Sequence, residues 1–251
     1  MNNITYHHDQ NSHSRLGAAK ALDYMIADRS IKSLLDVGAG TGNWLLAAQM
    51  AGIEEVRGVD GVMAPGEILC VEPELIHKTD LLLPLNLGRK FDAVLCLEVA
   101  EHLPMEASSV LILSLCRHSD LIFFSAAAPG QRGERHINCR PPVFWQGLFN
   151  FEGFVCEDTL RPLFWDVKDI EPWYRQNTFV ARRDESVAGS EPRVRYLIHP
   201  DMTEHTDFLD TPMSRQLLCM ERGVLHPLHY LDLFSRSVTR RLWRIGSGRW
   251  P

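Results

Sequence analysis

Hydrophobic and polar positions fall into blocks along this chain, and the period within the blocks changes. Short apolar runs bounded by Gly, Asp or Pro predict strands near residues 33–37, 55–59, 73–77, 91–96, 120–125, 154–160 and 177–182. Longer mixed segments between them predict helices near 43–51, 105–118 and 141–151. Upstream, Leu16, Ala19, Leu22, Tyr24 and Ile26 make a helical stripe from Ser14 to about Asp28. Strands that alternate with helices predict an α/β fold, a parallel sheet with helices on both faces. Arg183–Pro192 is a polar break with Asp184, Glu185, Ser186, Gly189, Ser190 and Pro192, and reads as a domain edge. The expected organisation is a domain over 1–188 and an extension over 189–251. Within the extension, Leu228, Leu231, Phe234, Val238, Leu242 and Ile245 recur at three- and four-residue steps, which predicts a helix over Pro227–Ile245.

Composition narrows the class. A chain of 251 residues with 45% hydrophobic and 23% charged residues is an ordinary globular one. A net charge of −6 argues against a general nucleic-acid binder. The six cysteines are scattered with no C-x-x-C pair, so they read as buried thiols in a reducing compartment. No apolar run approaches the roughly 20 residues a membrane span needs, and the polar start Met1–Arg15 lacks a secretory signal. A cytoplasmic location is expected. The extension differs from the rest: from Ser235 to Pro251 it carries Arg236, Arg240, Arg241, Arg244 and Arg249 and no acid.

The candidate chemistry begins at Leu34-Leu35-Asp36-Val37-Gly38-Ala39-Gly40-Thr41-Gly42-Asn43, where a strand ends in an acid, turns through three alternating glycines and enters a helix. Such a turn binds the polar end of a nucleotide-like ligand at the carboxyl edge of a parallel sheet. A dinucleotide fingerprint needs a third glycine where Asn43 stands, which disfavours a nicotinamide cofactor. Val56-Arg57-Gly58-Val59-Asp60 is a second strand ending in an acid, placed to accept hydrogen bonds from a ribose. Asp80-Leu81-Leu82-Leu83-Pro84-Leu85 follows a third apolar stretch, and Phe91–Leu103 a fourth.

Together, and in this order, these elements resemble the motifs of class I S-adenosylmethionine (SAM) methyltransferases, over roughly residues 30–182. The resemblance implies a Rossmann-like seven-stranded, mainly parallel sheet whose last two strands pair antiparallel. It implies SAM as cofactor. Its methionine part would lie over Asp36, Gly38, Ala39, Gly40 and Gly42, its ribose on Asp60 and Gly61, its adenine near Asp80 and Leu81, with Glu98 and Val99 lining the site. A leading segment in many such enzymes closes over the cofactor, so Tyr6, His7 and His8 are read either as part of a lid or as a disordered terminus.

Methyl transfer from a sulfonium needs an aligned acceptor and, commonly, a base. Glu98, Glu101 and His102 lie just past the fourth strand and would share one face if the chain turned helical there. His102 is then a group that contacts the acceptor or orders the loop, or a residue of a helix start. A metal role for Glu101-His102 is set aside, because no further cluster has matching spacing. His136, in the loop after the fifth strand, is the preferred base. The stretch His136-Ile137-Asn138, leading to Trp145, resembles methyltransferases of glycan and natural-product pathways. Trp165 and Trp173-Tyr174-Arg175-Gln176-Asn177 are read either as a stacking surface for the acceptor or as packing. The expected function is SAM-dependent methylation of a small molecule, most simply a hydroxyl of a sugar, glycan precursor or natural product. The alternatives are an N- or C-methyltransferase, including one acting on RNA, and a non-catalytic SAM-binding scaffold. The extension is a candidate for a partner or homo-oligomer contact.

Overall fold

The computed structural model describes residues 14–205. Contacts divide the chain into two compact units, Met1–His205 and Thr206–Pro251. The second unit and residues 1–13 lie outside the described residues, and with them the expected helix over Pro227–Ile245, the arginine-rich stretch and Tyr6, His7 and His8.

Seven strands form one sheet: β1 (Ser33–Val37), β2 (Glu55–Asp60), β3 (Ile76–Lys78), β4 (Ala93–Leu97), β5 (Leu121–Ser125), β6 (Phe154–Glu157) and β7 (Phe179–Arg183), in the order β3-β2-β1-β4-β5-β7-β6. The strands β3, β2, β1, β4 and β5 pair parallel, whereas β7 pairs antiparallel with both β5 and β6. The chain runs outward from β1 to β3 and returns to β4, so β1 and β4 flank the switch point where such sheets hold ligands.

The period of two along each strand sorts side chains to two cores. Leu35, Val94, Cys96 and Phe124 enter one, with Leu111 and Leu115 of α3 (Ser108–His118) and Trp145 and Phe149 of α4 (Pro142–Phe151). Leu34, Leu95 and Phe123 enter the other, with Leu22 of α1 (Arg15–Ile26) and Leu45 and Ala48 of α2 (Asn43–Met50). Helices therefore cover both faces. Phe124 is fully buried, with ring centroids 5.3–5.4 Å from Trp145, Phe149 and Phe179.

Several element boundaries differ from expectation. Pro73 begins a 3-10 turn, so β3 starts at Ile76. The third predicted helix starts with a 3-10 turn at Met105–Ala107 and becomes α-helical from Ser108. Strand β6 stops at Glu157, and two short helices follow: α5 (Arg161–Phe164) and α6 (Pro172–Asn177), each with Pro in its first turn. Residue 177, expected in the last strand, closes α6.

The compact unit also runs past the expected edge at 188. Glu191 Oε1 accepts from Gln146 Nε2 (2.8 Å), Asn150 Nδ2 (2.6 Å) and the Cys156 N–H (3.2 Å). Val194 is buried in the core, its N–H 2.9 Å from Gln146 Oε1. Tyr196 Oη donates to the Pro129 carbonyl (2.6 Å), and the His199 N–H to Gln176 Oε1 (2.8 Å). Residues 189–202 are a strap laid on the domain, outside the sheet.

Candidate cofactor and acceptor site

The loop after β1 is shaped by its glycines. Gly38 adopts φ +87°, and a Cβ there would stand 2.2 Å from Val99 Cγ2. Only a residue without a side chain fits both the angle and the gap. Gly42, at φ +81°, caps α2 and turns the chain into it. The Gly38 and Ala39 N–H groups donate to the Val59 carbonyl (2.8 and 3.2 Å), which ties the loop to β2. Asp60 ends β2 and ties it again: Oδ2 accepts from the Gly40 N–H and Oδ1 from the Val62 N–H, both at 2.8 Å. Gly61 follows, and the Thr79 N–H reaches back to the Asp60 carbonyl (2.8 Å), which brings the turn after β3 alongside. In that turn Asp80 is exposed and Leu81 is buried.

Asp36, at the end of β1, is buried, and its Oδ2 has no hydrogen-bond partner among the described residues. Burial, and then the charge of Asp60, push its carboxyl up to about 8. Asn43, where a dinucleotide site would have glycine, is buried in the first turn of α2, with its Oδ1 3.2 Å from Cys70 Sγ.

Glu98 follows β4 at φ +55°, an uncommon angle for a residue with a side chain. The Glu98 N–H points to the Ser125 carbonyl (3.0 Å) and hydroxyl (3.1 Å). Its carboxylate accepts from Gln131 Nε2 (2.9 Å) and Asn177 Nδ2 (3.1 Å). Asn177 Nδ2 also reaches Gln131 Oε1 (2.9 Å), and Gln176 Nε2 reaches Asn177 Oδ1 (3.1 Å). Gln131 gave no signal in the sequence. Gln176 and Asn177 drew attention only as neighbours of aromatic residues, and a side-chain amide acting across the fold has no local pattern.

After Val99 the chain makes a 3-10 turn, Ala100–His102. Glu101 is fully buried, and neither carboxylate oxygen has a hydrogen-bond partner among the described residues. Burial, reinforced by the nearby Glu98, pushes its carboxyl well above the usual range. The Glu101 carbonyl accepts from the Ile137 and Asn138 N–H groups (2.9 and 3.0 Å), which clamps the loop after β5 onto this turn. Asn138 strengthens the clamp through Nδ2, 3.0 Å from Ser108 Oγ. The result sets His136 against His102, ring centroids 5.0 Å apart and edge to face. Glu101, His102 and His136 each bring one ligating atom to within 4.8 Å of the others. His136 Nδ1 lies 3.1 Å from the Gln131 carbonyl. That nitrogen therefore carries the proton and Nε2 the lone pair. Gly133 leaves room for the ring: a Cβ there would stand 2.0 Å from His136 Nε2. Burial lowers both imidazoles; His102 falls to about 4, with His136 adding to the shift.

The aromatic group near α6 makes packing contacts. Tyr174 is buried edge-on to Trp44, ring centroids 5.1 Å apart. Trp165 packs against His199 with the rings tilted and their centroids 4.5 Å apart, and Arg175 reaches the Trp165 carbonyl (3.1 Å) and Asp201 (2.7 Å). No helix among the described residues is long and apolar enough to cross a membrane.

Comparison with known proteins agrees with the fold. A family described as a methyltransferase domain matches residues 7–154. The sugar N-methyltransferase KedS8 from Streptoalloteichus sp ATCC 53650 superposes with a TM-score of 0.53 at 17% identity, covering 68% of this chain and 89% of that one. The methyltransferase domain of bacterial CtHen1-C gives 0.50 at 16%, covering 67% and 98%. At these identities the likeness is one of fold. No curated protein matches the chain.

Proposed function

Since the chain belongs to the methyltransferase-domain family and its cofactor is SAM, we propose that it methylates a hydroxyl of a small molecule: a sugar, a glycan precursor or a natural product. The observation that carries this reading is the convergence of Glu101, His102 and His136 beyond the end of β4, beside the glycine turn.

SAM supplies an electrophilic methyl group on a sulfonium. The chain fits such a ligand. Asp36 offers a cationic group a buried carboxyl oxygen, Oδ2, that has no hydrogen-bond partner among the described residues, and Gly38, Ala39, Gly40 and Gly42 expose bare backbone. Asp60 ends β2 with a carboxylate, a group that accepts hydrogen bonds from ribose hydroxyls, with Gly61 beside it. Asp80 and Leu81 would border the adenine, and Glu98 and Val99 would form the floor.

The acceptor class follows from the chemistry. An amine attacks as its free base, whereas a hydroxyl must lose its proton as it attacks. Two neutral imidazoles and a buried carboxyl side by side are suited to that second case. The fully buried Glu101 holds the loop through its backbone carbonyl, so the proton-handling groups stay in register with the donor.

The test is to incubate the protein with methyl-labelled SAM and small-molecule extract from its native host and to identify the labelled product. An O-methyl product is expected. Label on nitrogen, carbon or RNA would overturn the hydroxyl assignment. His136→Ala should lower turnover by roughly 10²–10⁴ with SAM affinity nearly unchanged. Near-normal turnover in that variant would remove the cluster from the chemistry.

A further inference from the structure

We propose that Glu101, His102 and His136 form a binding site for a divalent transition-metal cation. The sequence spacing offers only the Glu101-His102 pair; the fold adds His136 from the next loop. Three features point to a cation. The ligating atoms already lie within 4.8 Å of one another. A cation bound at about 2.0–2.2 Å to nitrogen and oxygen needs donors roughly 3–4 Å apart, a distance that small side-chain rotations close. Glu101 is fully buried beside Glu98, and among the described residues neither of its oxygens has a hydrogen-bond partner of full geometry. A buried carboxyl held against a second acid is costly, and a metal ion is one of the few things that relieve it. Finally, His136 donates Nδ1–H to the Gln131 carbonyl. A ligating imidazole commonly makes such a contact to orient the ring and free its other nitrogen.

The donor set decides the class of ion. Two imidazoles and one carboxylate favour zinc, iron, cobalt or manganese over magnesium or calcium, which prefer all-oxygen sites. Three protein ligands leave coordination positions open for a substrate oxygen.

The site stands on these three side chains alone, and the role given to the ion rests on the hydroxyl reading above. An acceptor oxygen bound to the cation would release its proton to solvent more easily. The O–CH3 bond forms as the S–CH3 bond breaks, giving the methyl ether, S-adenosylhomocysteine and one proton. With the ion bound the imidazoles are ligands and the cation acidifies the acceptor; without it the imidazoles take the acceptor proton, so these are alternative roles of one cluster that the stripped enzyme tells apart.

Titration calorimetry of the full chain, stripped with EDTA and then given Zn²⁺, and Co²⁺ absorption spectra provide the test. We expect one ion per chain at this site. His136→Ala and Glu101→Gln should each weaken that site at least about a hundredfold, since even supporting residues around a metal are worth 10–100-fold. The Co²⁺ ligand-field bands should be lost with it. His77→Ala, an exposed histidine on β3, should change nothing. Histidines at 7, 8 and 13 are intact in all these proteins, so any ion they hold cancels in the comparison. His136→Gln, with SAM affinity as the check on folding, replaces His136→Ala if that variant does not fold. Equal binding by the wild type and both site variants, or none by the wild type, overturns the site. An O-methyl product from a stripped enzyme at full turnover overturns the ion's role and leaves the hydroxyl reading standing. Specific metal binding with an N- or C-methyl product leaves the site standing and overturns the hydroxyl reading, and the ion's role with it.

Discussion

At Gly38, two independent constraints meet in one residue: a positive φ and a wall of Val99 against the place where a Cβ would be. Gly38→Ala should cost about 1–2 kcal/mol for the left-handed angle and about 1–3 kcal/mol for overpacking. SAM binding should fall with it. Adding Val99→Ala should restore part of the lost melting temperature by removing the clash, while the angular strain remains; no recovery in the double variant would contradict the packing account. Asp60→Ala should weaken SAM at least about tenfold, since hydrogen bonds to a charged group are worth about 1.5–3 kcal/mol each. Asp60 also clamps Gly40 and Val62, so the melting temperature should drop too. Unchanged calorimetric affinity in a folded variant would remove Asp60 from the ribose. Both residues are legible in the sequence because their job is local: a turn needs its glycines within a few positions of the strand they end. His136 was legible as a candidate base, but its approach to His102 and Glu101 was not. That contact depends on the Ile137 and Asn138 N–H groups finding the Glu101 carbonyl, a pairing between distant backbone groups that side-chain identity does not encode.

Among the elements, α6 and the strap behind it bear on the site in a way that periodicity does not disclose. A six-residue helix is too short to show a stripe, and its aromatic residues read equally as core or as surface. In place, Gln176 and Asn177 at its end reach Glu98 and Gln131, while the strap holds Gln176 through His199 and the loop at Pro129 through Tyr196. The polar run that marked an edge is a connection, because Glu191 and Val194 beyond it are anchored in the domain. A chain ending at Ala188 should therefore be strongly destabilised, whereas one ending at His205 should fold and bind SAM; circular dichroism and calorimetry on the two would settle the boundary. The anchor is also acid-sensitive. Partial burial alone would raise the Glu191 carboxyl, but hydrogen bonds from Gln146, Asn150 and backbone N–H groups hold it down at about 2, below its ordinary 4.5. Its contribution is complete above about pH 4.5 and drains away as the pH falls toward 2. Discounted for partial exposure, it is about 1–2 kcal/mol. Urea midpoints of wild type and Glu191→Gln should differ near neutral pH and converge as the buffer is acidified; a gap independent of pH would contradict the linkage.

For the molecule as a whole, ligand choice is the cheapest discriminator. A ligand at a hundred times its Kd adds about 2.7 kcal/mol to the folded state, so SAM should raise the melting temperature and NAD should not. A shift with NAD alone would reverse the reading of Asn43. The alternation of strands and helices made the doubly wound core legible, because each strand must bury two faces and so announces itself as a continuous apolar run. The place of β7 did not come from periodicity, since hydrophobic pattern sets which residues are buried and is silent on neighbour order. That place has a consequence during synthesis. The apolar strand Leu121–Ser125 has its free edge closed only by Phe179–Arg183, which leaves the ribosome several seconds later at roughly 5–20 residues per second. Until then β6 has no partner and the growing sheet offers an open, hydrophobic border to other nascent chains. Expression of this protein should accordingly depend on chaperone supply, and on rapid translation through the stretch between β5 and β7, more than its finished, two-sided core would suggest.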